Sequence, residues 1–249
     1  MQVIFTPYFL EKYKEEYHSV KREGWYENLY KGDSQDPHQI ITALNNQVAD
    51  FVEENIHHNK LPVCIGGDCF KPFGVLKGLL NSGKNPSLLW LDAHGDFNTR
   101  ETSQSGFFGG MPLAILTGRD NSEFLKLNGL SPLPDEKVIL YDRRDLDTGE
   151  VVLLAKSKVR QPENMSELIE MSMGEKQIYL HLDTDIINPV DAPAMLFKTP
   201  GGPSLAEIKT FIETIKEKIA AVSVTLWEPS LDTNQQTAKA VFELLQLLD

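Results

Sequence analysis

The chain has 249 residues, 41% hydrophobic and 24% charged, with a formal net charge of -12 at neutral pH. That length can bury a substantial core, and the excess of acid argues against nucleic acid as a partner, because phosphate contacts need surplus Lys and Arg. No apolar stretch is long enough for a membrane span, and the first residues carry no signal-peptide pattern. Cys64 and Cys69 suit neither a disulfide framework nor a zinc knuckle, so a cytoplasmic, reducing setting is expected.

Strand-like and helix-like segments alternate along the chain, as in an α/β fold with a parallel sheet. Residues 1–7 hold a short β-branched and aromatic run. Residues 40–56 place Ile41, Leu44, Val48, Phe51, Val52 and Ile56 at helical spacing. A strand over 61–65 stops at Gly66-Gly67, a helix follows over 72–80, and a strand over 88–91. Beyond a loop rich in Gly and Ser, residues 111–116 begin another helix. Strands are predicted over 137–141 and 177–182. Residues 204–219 read as a helix, with Ser204 as N-cap and Glu207 completing a capping box. A strand over 221–227 and a helix over 237–248 finish the chain. No repeat, low-complexity tract or linker divides it, so one domain, 1–249, is expected.

Two of these apolar runs end in ligand-type side chains. Leu88-Leu89-Trp90-Leu91 leads into Asp92-Ala93-His94-Gly95-Asp96, and Ile178-Tyr179-Leu180-His181-Leu182 leads into Asp183-Thr184-Asp185. In extended chain, alternate residues face one way, so each set can converge on a point. Buried carboxylates need partners or a metal, and open α/β sheets place their sites at the carboxyl ends of strands. A two-metal site is therefore expected. Oxygen and imidazole donors suit Mn²⁺, with Zn²⁺, Fe²⁺ and Ni²⁺ also open. Either Asp183 or Asp185 can bridge, and His181 can support the site or serve packing.

Together the residues resemble the ureohydrolase family, which includes arginase, agmatinase and formimidoylglutamase. The matching segments are Gly66-Gly67-Asp68, Asp92-Ala93-His94-Gly95-Asp96-Phe97-Asn98-Thr99, Gly110-Met111-Pro112, Arg144-Asp145-Leu146-Asp147, Asp183-Thr184-Asp185 and Trp227-Glu228-Pro229. Their order covers the chain from about residue 61 onward. The resemblance implies a three-layer α/β/α sandwich with a central parallel sheet and two divalent cations, Mn²⁺ first. Asp92 and Asp183 would bridge the cations, Asp96 would complete one shell, and His94 with Asp185 the other. Asp96 would also orient the attacking hydroxide, and Glu228 would hold a guanidinium group. Asn98, Ser103 and Ser105 match contacts to a substrate α-carboxylate, and Asp147 the contact to its α-amino group.

The chain departs from the family pattern in three places. Cys69 stands where a histidine ligand is usual; a thiolate favours Zn²⁺ or Fe over Mn²⁺ and leaves Co²⁺ or Ni²⁺ open, and a small buried residue is the alternative reading. Gly109 replaces a histidine that the family uses to shuttle protons, and Asn188 replaces an aspartate before Pro189. The implied activity is hydrolysis of a C–N bond in a linear amidine or guanidino compound, releasing urea or formamide. A family member that has lost turnover and acts as a binding or regulatory subunit is the competing expectation. By family analogy the chain forms trimers or hexamers.

Overall fold

A computed structural model describes residues 1–249, the side chain of Ser122 excepted. In chain order the elements are β1 (Gln2–Phe5), β2 (Tyr8–Phe9), β3 (Lys12–Tyr13), β4 (Tyr26–Glu27), α1 (Pro37–His57), β5 (Pro62–Ile65), α2 (Lys71–Asn81) and β6 (Ser87–His94). There follow α3 (Pro112–Leu116), α4 (Ser122–Leu127), β7 (Val138–Asp145), α5 (Thr148–Ala155), α6 (Met165–Gly174), β8 (Ile178–Asp183), α7 (Leu205–Ile215), β9 (Ile219–Thr225) and α8 (Gln236–Gln246). A 7-stranded sheet runs in the order β4-β1-β5-β9-β8-β6-β7, every pairing parallel. β2 and β3 form a separate antiparallel ribbon.

The period of two along each strand divides the core between the sheet's faces. Ile4, Leu88, Trp90 and Tyr179 pack with α1 to α5, whereas Val3, Leu89, Leu91, Ile178 and Leu180 pack with α6 to α8. This is the α/β/α sandwich the sequence predicts. The central strands are buried on both faces, which is why they read as near-continuous apolar runs.

Several boundaries differ from expectation. β6 and β7 run on through polar residues because Asp92 pairs with Asp142 and His94 with Asp145, carrying the ladder into the site. The helix predicted over 204–219 ends at Ile215, and Ile219 already belongs to β9, since Ile219-Ala220-Ala221-Val222 satisfies a buried strand as well as a helix. Its predicted capping box, Ser204 with Glu207, is present. The sequence reading does not anticipate β2, β3, β4, α4, α5 and α6. The strands among them have two residues each, too few for a period.

The helix that follows the Cys69 loop is held by a close crossing. A Cβ at Gly78 would lie 2.4 Å from the Ala49 carbonyl oxygen and 2.7 Å from Val52 Cβ, and one at Gly74 would lie 2.5 Å from the Asn45 carbonyl oxygen. Gly78→Ala gains about 1 kcal/mol in helix propensity, but overpacking costs about 1–3 kcal/mol, and backbone oxygens cannot swing aside. The variant is expected to unfold at lower urea concentration than the parent. A raised midpoint would contradict the tight α1–α2 contact.

Candidate metal centre

The register of the central strands stacks the candidate ligands in rows. Trp90, His181 and Ser223 are paired across β6, β8 and β9, and Asp183 pairs with Thr225 one row nearer the strand ends. Asp92 is two residues beyond Trp90 and so projects from the same face. All six side chains are buried. Cys69, in the loop between β5 and α2, reaches this row: its Sγ donates to Asp183 Oδ2 at 3.1 Å and lies 3.6 Å from Thr225 Oγ1.

Beyond β8 the chain turns in a single 3-10 turn, where the Asp185 amide donates to Asp183 Oδ1 at 2.9 Å and the Ala93 amide donates to Asp185 Oδ1 at 3.0 Å. Arg144 secures the turn from β7, donating to the Asp185 and Thr199 carbonyls at 2.8 and 2.9 Å. Asp96 sits at φ 48°, a left-handed conformation that aspartate tolerates better than most residues. Its carbonyl caps α3 by accepting the Leu113 and Ala114 amides at 3.0 and 3.2 Å.

The electrostatics of this cluster call for positive charge. Burial, then Asp185, raises the Asp92 carboxyl; burial, then Asp92, raises Asp96 strongly; burial, then Asp185 and Asp92, does the same to Asp183. Burial pulls the His94 imidazole down, but the contacts with Asp185 and Asp92 outweigh it and push the group up to about 12. Burial, then Asp96 and Asp183, raises the Cys69 thiol, and burial drives His181 down to about 3, leaving a neutral imidazole.

The donors fit a cation. His94 Nδ1 lies 2.9 Å from Asp185 Oδ2 and 3.4 Å from Asp92 Oδ1, yet Asp185 Oδ2 has no aligned hydrogen bond. Asp96 Oδ2 and His181 Nε2 are also buried without a partner among the described residues. Two groups of donor atoms each lie within 4.8 Å of one another: Asp92, His94 and Asp185, and Cys69, Asp92 and His181. Asp92 belongs to both. Such buried, unpaired donors are costly unless a cation satisfies them.

Above the cluster opens a cavity of about 210 Å³, lined by Cys69, Asp92, His94, Asp96 and Asp183 as well as Asn98, Ser103, Ser105 and Asp147. Asn98 Nδ2 donates to Asp147 Oδ2 at 2.9 Å. Ser103 Oγ and Ser105 Oγ accept the Gly106 and Phe107 amides at 3.1 and 3.2 Å, which leaves both hydroxyl protons free to donate. Apart from the half-buried His94, the ligand cluster thus forms a buried floor, with Ser105 and Asp147 exposed at the mouth.

Glu228 is not among the residues that line the cavity. β9 ends at Thr225, Leu226 turns the chain at φ 57° and lines the wall itself, and the Glu228 carboxylate accepts from Tyr17 Oη at 3.3 Å and Ser230 Oγ at 2.5 Å. Two residues past a turning Leu226, strand alternation no longer fixes the direction of the Glu228 side chain. The sequence reading missed Phe9 and Phe197 on the wall, and Asp145 and Glu150 beside them, whereas Phe107, expected beside Gly109, does line the cavity. Glu150 was legible as the partner of Asp147 in a capping box; its oxygens accept the Phe97 and Asp147 amides, each at 2.9 Å. Phe9 arrives from the distant N-terminal ribbon and had no local signal.

A family model described as "Arginase family" matches residues 9–248. The chain belongs to the arginase family. Arginase of Bacillus subtilis (strain 168) is 32% identical over 222 residues, covering 84% of this chain and 75% of that protein. Arginase of Staphylococcus aureus (strain COL) is 30% identical over 220 residues, covering 82% and 72%. A crystal structure of the Bacillus subtilis arginase superimposes with a TM-score of 0.84 at 27% identity, covering 99% of this chain and 97% of that one. Agmatine ureohydrolase of Thermoplasma volcanium shares the fold, with a TM-score of 0.73 at 18% identity over 99% of this chain and 87% of that one. The arginase-family match reaches back to residue 9, well before Gly66-Gly67-Asp68, the first of the motifs.

Against that family pattern, Cys69 and Gly109 both line the cavity. A Cβ at Gly109 would lie 2.4 Å from the Phe107 ring, so an aromatic side chain fills space beside it. Asn188 still caps its turn, its Oδ1 accepting the Val190 amide at 3.0 Å. Because the carboxylates repel one another without a counter-ion, adding Mn²⁺ or Zn²⁺ to chelator-stripped protein is expected to raise its melting temperature. Saturation at a hundred times Kd adds about 2.7 kcal/mol, and Asp185→Asn should reduce the gain. Identical melting curves with and without every first-row divalent cation would contradict a metal centre.

Proposed function

We propose that the chain is a metal-dependent hydrolase of a C–N bond in a small linear amidine or guanidino compound, releasing urea or formamide. The observation that carries this reading is the convergence on one cavity of buried metal-type donors and a mouth of hydrogen-bonding groups. We take Asp92, His94 and Asp185 to hold one divalent cation, and Asp92, Asp183, Asp96 and Cys69 to surround a second. Cations bound there supply Lewis-acid activation of water at neutral pH. Mn²⁺ suits the first group, and the thiol at Cys69 opens the second to Zn²⁺, Fe²⁺, Co²⁺ or Ni²⁺.

The chain's own groups supply the rest. Asp96 Oδ2, buried and unpartnered, is the oxygen assigned to take the proton of attacking water. Asp147, oriented by Asn98, receives an ammonium group, while the Ser103 and Ser105 hydroxyls and Asn98 serve a carboxylate. Such a head group favours an amino-acid-like substrate over a plain amine. The cavity's acidic lining attracts the cationic end. No side chain at Gly109 can protonate the leaving amine, and acid–base assistance typically contributes 10²–10⁴-fold, so turnover should be slow. Both cysteines are free and buried, which suits a reducing cytoplasm. A homo-oligomer, trimer or hexamer, is the assembly proposed by analogy with the family.

One observation favours a second reading. Gly109 and Cys69 share the cavity, standing where the family has a proton shuttle and an imidazole. A chain so altered suits a metal-binding protein with a binding or regulatory role. Assaying urea, formamide and ammonia release across a guanidino and amidine panel, with Mn²⁺, Zn²⁺, Fe²⁺, Co²⁺ and Ni²⁺ in turn, separates the two. Metal-dependent release that Asp96→Asn abolishes is the expected result. Stoichiometric metal with no release from any compound would leave the second reading.

A further inference from the structure

We propose that Cys69, Asp92 and His181 form a buried site for a borderline-soft divalent cation of the Zn²⁺ or Co²⁺ type, with His181 Nε2 as its imidazole ligand. The inference rests on reading the cavity floor as a metal centre, though not on turnover. Residue 69 offers a thiol in place of an imidazole, and the strand beneath returns an imidazole from another direction. His181 is two residues before Asp183 on β8, so it faces the same way one row lower, directly paired with Trp90 and Ser223.

Packing alone does not account for His181. Its ring lies 4.0 Å from that of Trp90, as a packed core histidine would. Its two nitrogens differ, however. Nδ1 is 2.8 Å from Ser223 Oγ, which is itself 2.7 Å from Tyr179 Oη, whereas Nε2 is fully buried and has no partner. In the tautomer with Nδ1–H donating to Ser223 Oγ, Nε2 carries a free lone pair, and a ring nitrogen of His181 lies within 4.8 Å of donor atoms of Asp92 and Cys69. Metal-ligating histidines are arranged this way, one nitrogen anchored by a hydrogen bond and the other on the ion.

The three donor atoms lie within 4.8 Å of one another, close enough for one ion to gather them. Thiolate, imidazole and carboxylate together select Zn²⁺ or Co²⁺ over Mn²⁺, which prefers oxygen. Binding breaks the Cys69 S–H bond: the sulfur gives the freed electron pair to the cation, and the proton leaves to solvent. No redox partner is involved. Asp92 also belongs to the His94–Asp185 group, so the chain would hold two chemically unlike cations side by side.

Cobalt titration of the chelator-stripped full-length chain tests the proposal, followed through the near-ultraviolet thiolate-to-cobalt charge-transfer band. The band is expected in the parent and in His94→Ala, and lost in Cys69→Ser. His181→Ala should weaken the band-bearing site by more than about 100-fold, beyond what loss of an outer hydrogen-bond partner usually costs. Should His181→Ala not fold, zinc-edge X-ray absorption of the parent decides, with sulfur near about 2.3 Å and imidazole nitrogen near about 2.0–2.1 Å. A band untouched by His181→Ala, or a zinc shell without sulfur, would overturn the site. A band without product release sinks the hydrolase reading alone, and release without a band sinks only this site.

Discussion

Like-charge crowding at the carboxyl edge of the sheet is the constraint on which the rest depends. Asp92, Asp96, Asp183 and Asp185 are all buried around a common floor, and burial with mutual repulsion pushes the first three toward neutrality. Few arrangements tolerate this in water-excluded protein except one built around cations. Much of the surrounding structure serves to hold the crowd in place: Arg144 on the 184–186 turn, the Asp96 carbonyl on α3, and the α1–α2 crossing behind the Cys69 loop.

Parallel topology explains why those residues meet. β6, β8 and β9 are neighbours that run the same way, so sequence-distant strand ends fall into one row. The polar tail of each strand is then a site by position. Its base is buried in the core and its mouth open, which suits a small molecule reaching down toward the carboxylates.

Much of this was legible beforehand. The alternation Asp92-x-His94 and His181-x-Asp183 reports side chains on a shared strand face, and long apolar runs report strands covered on both sides. What failed did so for physical reasons. Glu228 follows a left-handed Leu226, where the period of two is broken, so its sequence neighbourhood does not fix where its carboxylate points. Phe9 and Phe107 meet across the cavity from distant segments, stacked at 6.4 Å, and nothing local foretold it. His181 sat in plain view at the correct alternation; only its orphaned nitrogen distinguishes it from a packed core histidine.

The family relation and the altered residues point in compatible directions. The arginase fold supplies the carboxylate frame, while Cys69 and Gly109 change what that frame can grip. Asp92 is where both donor groups join, so its removal is the sharpest test. Metal content of chelator-cleared, reconstituted Asp92→Asn, measured by mass spectrometry beside the parent, should fall from two ions per chain toward none. Retention of the parental stoichiometry would contradict a centre organised around Asp92.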